Sequence, residues 1–491
     1  MRASDLAGRT GSPADGALRA LHVAQHAAAH VPAYAAVLRR AGYDPAGLRT
    51  VADFARLPLI DKDSYLGVYP VDQCCPGEQL TRAQIVTLSS GSSGGAALWP
   101  RFAEQDAAML EVFRALFEEH FRIHERRTLL VVGIPLGAWV AGATVAAIGQ
   151  RLFARPDLTG TVVTPGPQPA EILRFVEALG PLHDQTILTG SSTPRVLAEG
   201  ARRGLCWPAL NVSAIMGGEW VSEERRLRIL QGLGKDPDRL EGVVGLFVSA
   251  EAGGIIGYET RLCLLLRRLC VRTPALAEAL FGSVVLPSFH QYDPHHAYLE
   301  VVEGEILLTK GGALPLVRYN THDCGGLLSL DEVLARCREH GYDLLAELAA
   351  RGYGPEAVRP LPFLYVFGRS DAVIVYRANV SLHHVAHVLE SDELHRLAGG
   401  SFELGATTDP DGNATLEADI ELAAGVAPTP ELTARVQQQL LAGLLAINSE
   451  FRDAYRSAGG RLRLAVRLVP WGTFGRGLKQ HRRARRPGAE G

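Results

Sequence analysis

Three features of this 491-residue chain predict a large, multi-subdomain N-terminal α/β domain with mainly parallel sheets, followed by a small α+β C-terminal domain. Between residues 84 and 325, short apolar runs alternate with segments of helical spacing, the pattern of strands joined by crossover helices. Beyond Phe367-Gly368-Arg369-Ser370-Asp371 the texture changes to a compact mixture of strands and helices. An apolar content of 47% with 21% charged residues is that of a globular protein, and the length leaves room for roughly two to four domains.

The elements follow in order. Residues 17–42 repeat apolar side chains at helical spacing, interrupted at Pro32. Strand-like runs follow at 84–88, 129–134, 160–164, 186–189, 212–216 and 243–248, with helices at 103–122, 169–178 and 222–233. The stretch 128–150 carries no charge and is long enough to span a bilayer. Gly133, Pro135, Gly137 and Gly142 divide it, however, into a short strand and a small-residue helix, so a buried β-loop-α unit is expected. Residues 284–310 read as β-hairpins around Val302-Glu303-Gly304-Glu305, and 330–350 as one charged amphipathic helix. Past the junction come a strand (372–376), a helix (382–391) and a strand pair around Asp409-Pro410-Asp411-Gly412. A helix (430–454) and a strand (461–468) come next. The expected boundaries are therefore 1–368, a junction at 369–371, and 372–491.

A formal net charge of −3 gives no reason to expect nucleic acid or an anionic membrane as partner. The basic tail 479–486 reads as a solvated terminus. Lysine occurs only at Lys62, Lys235, Lys310 and Lys479. Seven cysteines without a C-x-x-C pair suit reduced, mostly buried thiols and a cytoplasmic location, and the first 16 residues lack the apolar core of a secretory signal. His120 and His124, and the group His383, His384 and His387, have helical spacing but no third ligand at metal-site spacing. Asp293-Pro294-His295-His296 reads as a polar turn.

The chemistry is concentrated in the loop Ser89, Ser90, Gly91, Ser92, Ser93, Gly94 and Gly95. An apolar run enters it and a long amphipathic helix follows. Glycines let the backbone approach an anion closely, and serine hydroxyls add donors without bulk, so the loop suits polyphosphate. Further motifs follow in order. They are Met216-Gly217-Gly218-Glu219-Trp220, Phe247-Val248-Ser249-Ala250-Glu251-Ala252-Gly253, Gly304-Glu305-Ile306-Leu307-Leu308-Thr309, and Pro315-Leu316-Val317-Arg318-Tyr319-Asn320-Thr321-His322-Asp323. Gly368-Arg369-Ser370-Asp371 and the Gly-rich Thr473-Phe474-Gly475-Arg476-Gly477-Leu478-Lys479 complete the series.

This order resembles the adenylate-forming (acyl-activating) superfamily, and within it the phenylacetate–coenzyme A ligase branch. The segments His30-Val31-Pro32-Ala33-Tyr34 and Leu57-Pro58-Leu59-Ile60-Asp61-Lys62 resemble the opening of that branch, so the likeness covers nearly the whole chain. It implies that a carboxylate attacks the α-phosphorus of ATP, giving an acyl-adenylate and pyrophosphate. The resemblance assigns Ser89 to Gly94 to the β- and γ-phosphates, Glu251 to Mg2+ with Ala250 beside it, and Gly217, Gly218 and Glu219 to the adenine wall. It assigns Asp323 to the ribose hydroxyls, with Arg369 near the ribose and Asp371 in a hinge about which a mobile C-terminal domain reorients. Lys479 would bridge the substrate carboxylate and the α-phosphate. Trp139 with Gly190 and Ser191 would line a flat pocket for an aromatic acid.

The acyl group would then pass to a thiol, that of coenzyme A or of the phosphopantetheine arm of an acyl carrier protein. Transfer to an amine, making an amide, is the alternative; a non-catalytic nucleotide-binding homologue is another. A homodimer is compatible with the resemblance, although no residue argues for one. The departures mark a divergent member. Gly94 is followed by Gly95-Ala96-Ala97 instead of proline and lysine, and Phe247 and Val248 replace tyrosine and glycine. Ala250 replaces a threonine, His322 a glycine, and Ala378 a common glycine after the hinge.

Overall fold

The structure is a computed structural model that describes residues 13–77, 79–88, 97–218, 221–369, 373–375, 378–408, 413–458, 460–475 and 481–484. Two compact units divide the chain. The first runs to Gly218 and includes Leu227–Leu276 and Ser288–Val366; the second takes Glu219–Arg226, Ala277–Pro287 and the chain from Phe367.

In the first unit, β1 (Ile85–Leu88) and β2 (Leu98–Arg101) pair antiparallel as a separate two-stranded ribbon. The run at 84–88 thus opens a hairpin and does not join the main sheet, because β2 supplies its partner in place of the expected direct step into the helix. The sheet itself contains β3 (Thr128–Val132), β4 (Gly160–Val163), β5 (Gln185–Thr189), β6 (Val212–Gly217) and β7 (Val243–Ser249). To these it adds β8 (Gly254–Tyr258), β9 (Ser288–Tyr292), β10 (Tyr298–Val302), β11 (Glu305–Lys310), β12 (Leu316–Leu328) and β13 (Phe363–Arg369). Their order is β10-β11-β12-β13-β9-β8-β7-β6-β5-β3-β4. The strands β4, β3, β5, β6 and β7 run parallel, as crossover helices require. From β7 to β8 and β9, and again through β10, β11 and β12, the pairing is antiparallel, so the sheet is mixed.

Parallel strands covered on both faces read as continuous apolar runs, and β3 and β5 are buried at every position. The helices Ala103–Phe121 and Val140–Phe153 bury Phe113, Phe117, Phe121, Ile148 and Leu152 against Leu130, Val132, Ile187 and Val244. Within the charge-free stretch β3 and one face of the following helix are therefore core, and among the described residues no helix is long and apolar enough to cross a membrane. A second core joins Ala24, Ala27, Tyr34 and Leu38 of the N-terminal helices Pro13–His30 and Pro32–Arg40 to Ile306, Leu308, Leu316 and Tyr319. The amphipathic segment expected at 330–350 is two helices, Leu330–Glu339 and Leu344–Ala350, the second capped by the Asp343 carboxylate on the N–H groups of Leu345 and Ala346.

In the second unit, β14 (Val373–Val375) and β15 (Ala378–Val380) form a ribbon. A four-stranded sheet follows in the order β18-β17-β16-β19, from β16 (Ala398–Thr408), β17 (Ala414–Leu422), β18 (Leu462–Val469) and β19 (Arg482–Ala484). Val385, Leu440, Leu444 and Phe451 pack on Phe402, Leu404, Leu416 and Ile420 to form its core. The helix expected at 430–454 divides at Asn448, which ends Pro430–Ile447 and caps Ser449–Ser457 by accepting from the Phe451 N–H at 2.9 Å. The seven cysteines are all free, and five of them are buried.

Candidate active site

In open α/β sheets, ligands bind beyond the carboxyl ends of the parallel strands. Most of the described residues singled out from the sequence lie along that edge. The pairings Val132 with Thr189, Thr189 with Ile215, and Gly217 with Leu246 bring the ends of β3, β5, β6 and β7 together. Gly190 and Ser191 follow β5, Gly217 and Gly218 close β6, and Ala250 and Glu251 turn from β7 into β8. At Gly190 (φ 113°) a β-carbon would lie 2.6 Å from the Gly133 carbonyl oxygen, so only glycine lets the β3 and β5 ends approach so closely. The Ser192 hydroxyl donates to that same carbonyl at 3.4 Å. Trp139, half-buried, precedes the helix Val140–Phe153, and its neighbour Ala138 accepts a 2.7 Å hydrogen bond from the Leu88 N–H at the end of β1.

Glu251 sits in a tight turn. The Gly253 N–H donates to the Ala250 carbonyl at 2.9 Å, and the Ala252 N–H to the Ser249 hydroxyl at 3.0 Å. Ala250 and Glu251 line a cleft with Trp99, Arg101, Gln105, Val140 and Lys310. The Lys310 ammonium donates to the Ala252 carbonyl and so ties the end of β11 to the glutamate turn. Burial pushes this ammonium down to about 8, and the Arg101 guanidinium adds to the push. Arg101 is buried and bonds Asp106 and Thr144. The buried indole N–H of Trp99 has no partner among the described residues. No hydrogen bond or ion pair among the described residues engages the Glu251 carboxylate. A carboxylate left free at a rigid turn suits Mg2+, which takes one or two protein carboxylates and completes its shell with phosphate oxygens and water. Among the described residues no group of three or more His, Cys, Asp or Glu side chains could form an all-protein metal cage.

Asp323 lies on the long strand β12 and does not line the cleft around Glu251. Its N–H donates to the Thr321 hydroxyl at 3.2 Å, and that hydroxyl donates to the Ile306 carbonyl at 2.9 Å. In the same motif Arg318 is structural. Its Nη1 donates to the Ala55 and Leu57 carbonyls at 2.6 and 2.8 Å, and its Nε lies 3.3 Å from Glu300. Ile60 bridges to Tyr319 beside it, so the 57–62 segment, noted from its sequence likeness, is bound to this strand.

Arg369 ends β13. Ser89, Ser90, Gly91, Ser92, Ser93, Gly94, Glu219, Asp371 and Lys479 lie outside the described residues. Sequence reasoning passed over Trp99, Arg101 and Lys310 in the cleft; the scarcity of lysine was the signal for Lys310. The histidines set aside as metal ligands have other places in the fold. His120 is buried between Phe121 and Tyr258, and burial pushes its imidazole down to about 4. The N–H groups of His295 and His296 close a turn on Asp293.

No protein-family model matches the chain, and no curated protein matches it in sequence. Solved structures do match. A 2-hydroxyisobutyryl-CoA ligase in the postadenylation state, in complex with 2-HIB-AMP, aligns with a TM-score of 0.64 at 15% identity, over 96% of this chain and 88% of that one. The same ligase with 2-HIB-AMP and CoA, in the thioesterification state, gives 0.54 at 16% identity, over 96% and 89%. An acyl acid amido synthetase in complex with 2,4-DB gives 0.57 at 12% identity, over 99% and 94%. Identities this low speak for architecture alone, and on that ground the chain has the fold of the adenylate-forming ligases.

Proposed function

We propose that this protein activates a carboxylic acid, an aromatic one in the first instance, by ATP-dependent adenylation, and passes the acyl group to a thiol. The observation that carries the reading is the Glu251 carboxylate, without a partner among the described residues, at the carboxyl edge of the parallel strands beside the glycine-bounded ends of β5 and β6. Support comes from a fold shared with a ligase that holds an acyl-adenylate. In this reading the acid oxygen forms a bond to the α-phosphorus and the bond to pyrophosphate breaks. Negative charge then crowds the transition state and needs fixed donors and cations around it. Ser89 to Gly94 cradle the β- and γ-phosphates, and Lys479 bridges the attacking carboxylate and the α-phosphate. Glu251 would hold Mg2+, which would supply charge neutralisation at the phosphates when bound. Gly217, Gly218 and Glu219 flank adenine, and Asp323 and Arg369 address the ribose. Trp139, Gly190 and Ser191 border the acid. The chain from 372 acts as a small C-terminal domain that reorients about 369–371 between the two half-reactions.

The acceptor is the thiol of coenzyme A or of a carrier-bound phosphopantetheine. An amine is the second reading, favoured by the fold shared with an amide-forming synthetase. The experiment is pyrophosphate release with Mg-ATP over a panel of aryl and aliphatic acids, with and without coenzyme A, and with Lys479→Ala as control. Release that depends on the acid and on Lys479 is expected. Product analysis with coenzyme A and with amines then separates thioester from amide. ATP binding without release under any acid would leave a nucleotide-binding scaffold as the better reading.

A further inference from the structure

His322 occupies the position before Asp323 where the resembled superfamily carries glycine, and it does so with φ 57°. A left-handed conformation is strained for a residue with a β-carbon, and glycine would avoid that strain. The side chain must therefore be held by something that glycine could not engage. Its Nε2 lies 3.0 Å from Asp61 Oδ2, and its Nδ1 3.6 Å from Glu305 Oε1. Its backbone N–H donates to Asn320 Oδ1 at 2.8 Å. The Asn320 amide in turn donates to Glu305 Oε2 at 2.5 Å, and the Asn320 N–H to the Ile60 carbonyl at 2.7 Å. Asp61 is itself fixed: its Oδ1 accepts from the N–H and the hydroxyl of Ser64 at 2.7 and 2.5 Å, capping the short helix Lys62–Leu66. Burial alone would raise the Asp61 carboxyl, but hydrogen bonds from Ser64 and His322 outweigh it and hold the group below its usual range. Three separate stretches of chain, at 60–64, at 305 and at 320–323, thus meet around one imidazole.

We infer that His322 is a positioning residue for nucleotide binding, fixing the backbone from which Asp323 reaches the ribose by tying it to Asp61 and Glu305. The inference rests on the reading of Asp323 as the ribose ligand and assigns the residue that aims it. An imidazole held between two carboxylates fixes the peptide plane through which the chain enters Asp323, and the Thr321 hydroxyl holds the Asp323 N–H. With glycine in its place the same turn could form, and the backbone bonds to Ile60 would stay, but the side-chain tether to Asp61 and Glu305 at the residue next to Asp323 would be gone.

The test uses the full chain and calorimetric titration with Mg-ATP, Mg-2′-deoxy-ATP, Mg-3′-deoxy-ATP and inorganic pyrophosphate. His322→Gly accepts the left-handed backbone, so its Tm should stay within about 3 °C of the parent. Its preference for ATP over the deoxy nucleotides should fall about tenfold, the worth of one well-aligned charge-assisted hydrogen bond, while pyrophosphate affinity stays unchanged. Asp61→Asn should lose part of the preference, and the double variant should lose no more than His322→Gly alone. Asp323→Asn separates the two layers of the argument. If it leaves the ribose preference intact, the assignment of Asp323 fails and takes the positioning role with it. If Asp323→Asn removes the preference but His322→Gly keeps it in full, His322 is only a surface ion pair and the inference is overturned.

Discussion

Glu251 and Lys310 face one cleft, yet the fold treats them oppositely. The glutamate has no partner to lose among the described residues, so Glu251→Gln should leave Tm unchanged while Mg-ATP-dependent pyrophosphate release falls by at least about 100-fold. Equal turnover in wild type and variant would remove Glu251 from the site. The lysine is bonded and half-buried, and its ammonium is pushed from the ordinary 10.5 down to about 8. Between those two pH values the unfolded chain holds a proton that the folded chain has released, so stability should rise as pH climbs from 8 towards 10.5. Below pH 8 the full cost of burying the charge is present, with an upper bound of about 3 kcal/mol. Lys310→Met should therefore be the more stable protein at pH 7, by on the order of 1–2 kcal/mol once the lost hydrogen bond is deducted, and the gap should close by pH 10. Urea midpoints at the two pH values check it. The turn that carries Glu251 could be singled out because its motif is contiguous. Lys310 could not, because its role depends on a hydrogen bond to a carbonyl 58 residues away.

Among the elements, the helix Val140–Phe153 depends most on one small residue. A β-carbon at Gly142 would stand 2.0 Å from the Pro135 carbonyl oxygen, and backbone cannot yield as a side chain can. Gly142→Ala should thus lift the first turn of this helix from the β3 loop, at a cost of about 2–3 kcal/mol. Because Trp139 is the N-cap residue, KM for the acid should rise more than KM for ATP. A thermal scan and the two KM values test both halves; an unshifted Tm would mean that the loop accommodates the methyl group. The period of apolar residues was enough to find β3 and this helix in the sequence, since buried parallel strands leave an unbroken apolar run. It was not enough where the local signal is capping. Asn448 and Asp343 each divide an expected helix, and both act through side-chain hydrogen bonds to the next turn, which leaves the apolar period unbroken. The ribbon of β1 and β2 escaped notice for a related reason: β2 contains Pro100, which weakens a strand reading and is tolerated only at an edge.

The molecule as a whole carries an acid limit in the core of its first unit. His120 is buried and His296 half-buried, and the loss of solvent around each imidazole pushes it from 6.5 down to about 4 and about 3. The Arg261 and Arg359 guanidinium groups oppose a charge on His120, against the Glu119 carboxylate, and the Lys310 ammonium opposes one on His296. The stability that each contributes is complete above pH 6.5, where folded and unfolded chains alike are neutral. Below 6.5 the unfolded chain gains a proton that the folded one refuses, so stability falls steadily as pH drops towards 4 for His120 and 3 for His296. The upper bounds are about 3 kcal/mol for His120 and about 5 kcal/mol for His296, a large share of the 5–15 kcal/mol that holds a typical domain together. Carboxylates held below their usual range, such as Asp61 and Glu332, lose their contribution only as the pH falls below about 4, so a loss between pH 6.5 and 5 belongs to the histidines. The measurement is a urea titration at pH 7.5 and pH 5, read by hydrogen exchange in peptides covering β3 and β5, which report the first unit alone. A midpoint that drops at pH 5 in the wild type, and drops less in His120→Phe, is the expected outcome. Equal midpoints at the two pH values would mean that His120 is charged, or open to water, in the folded chain.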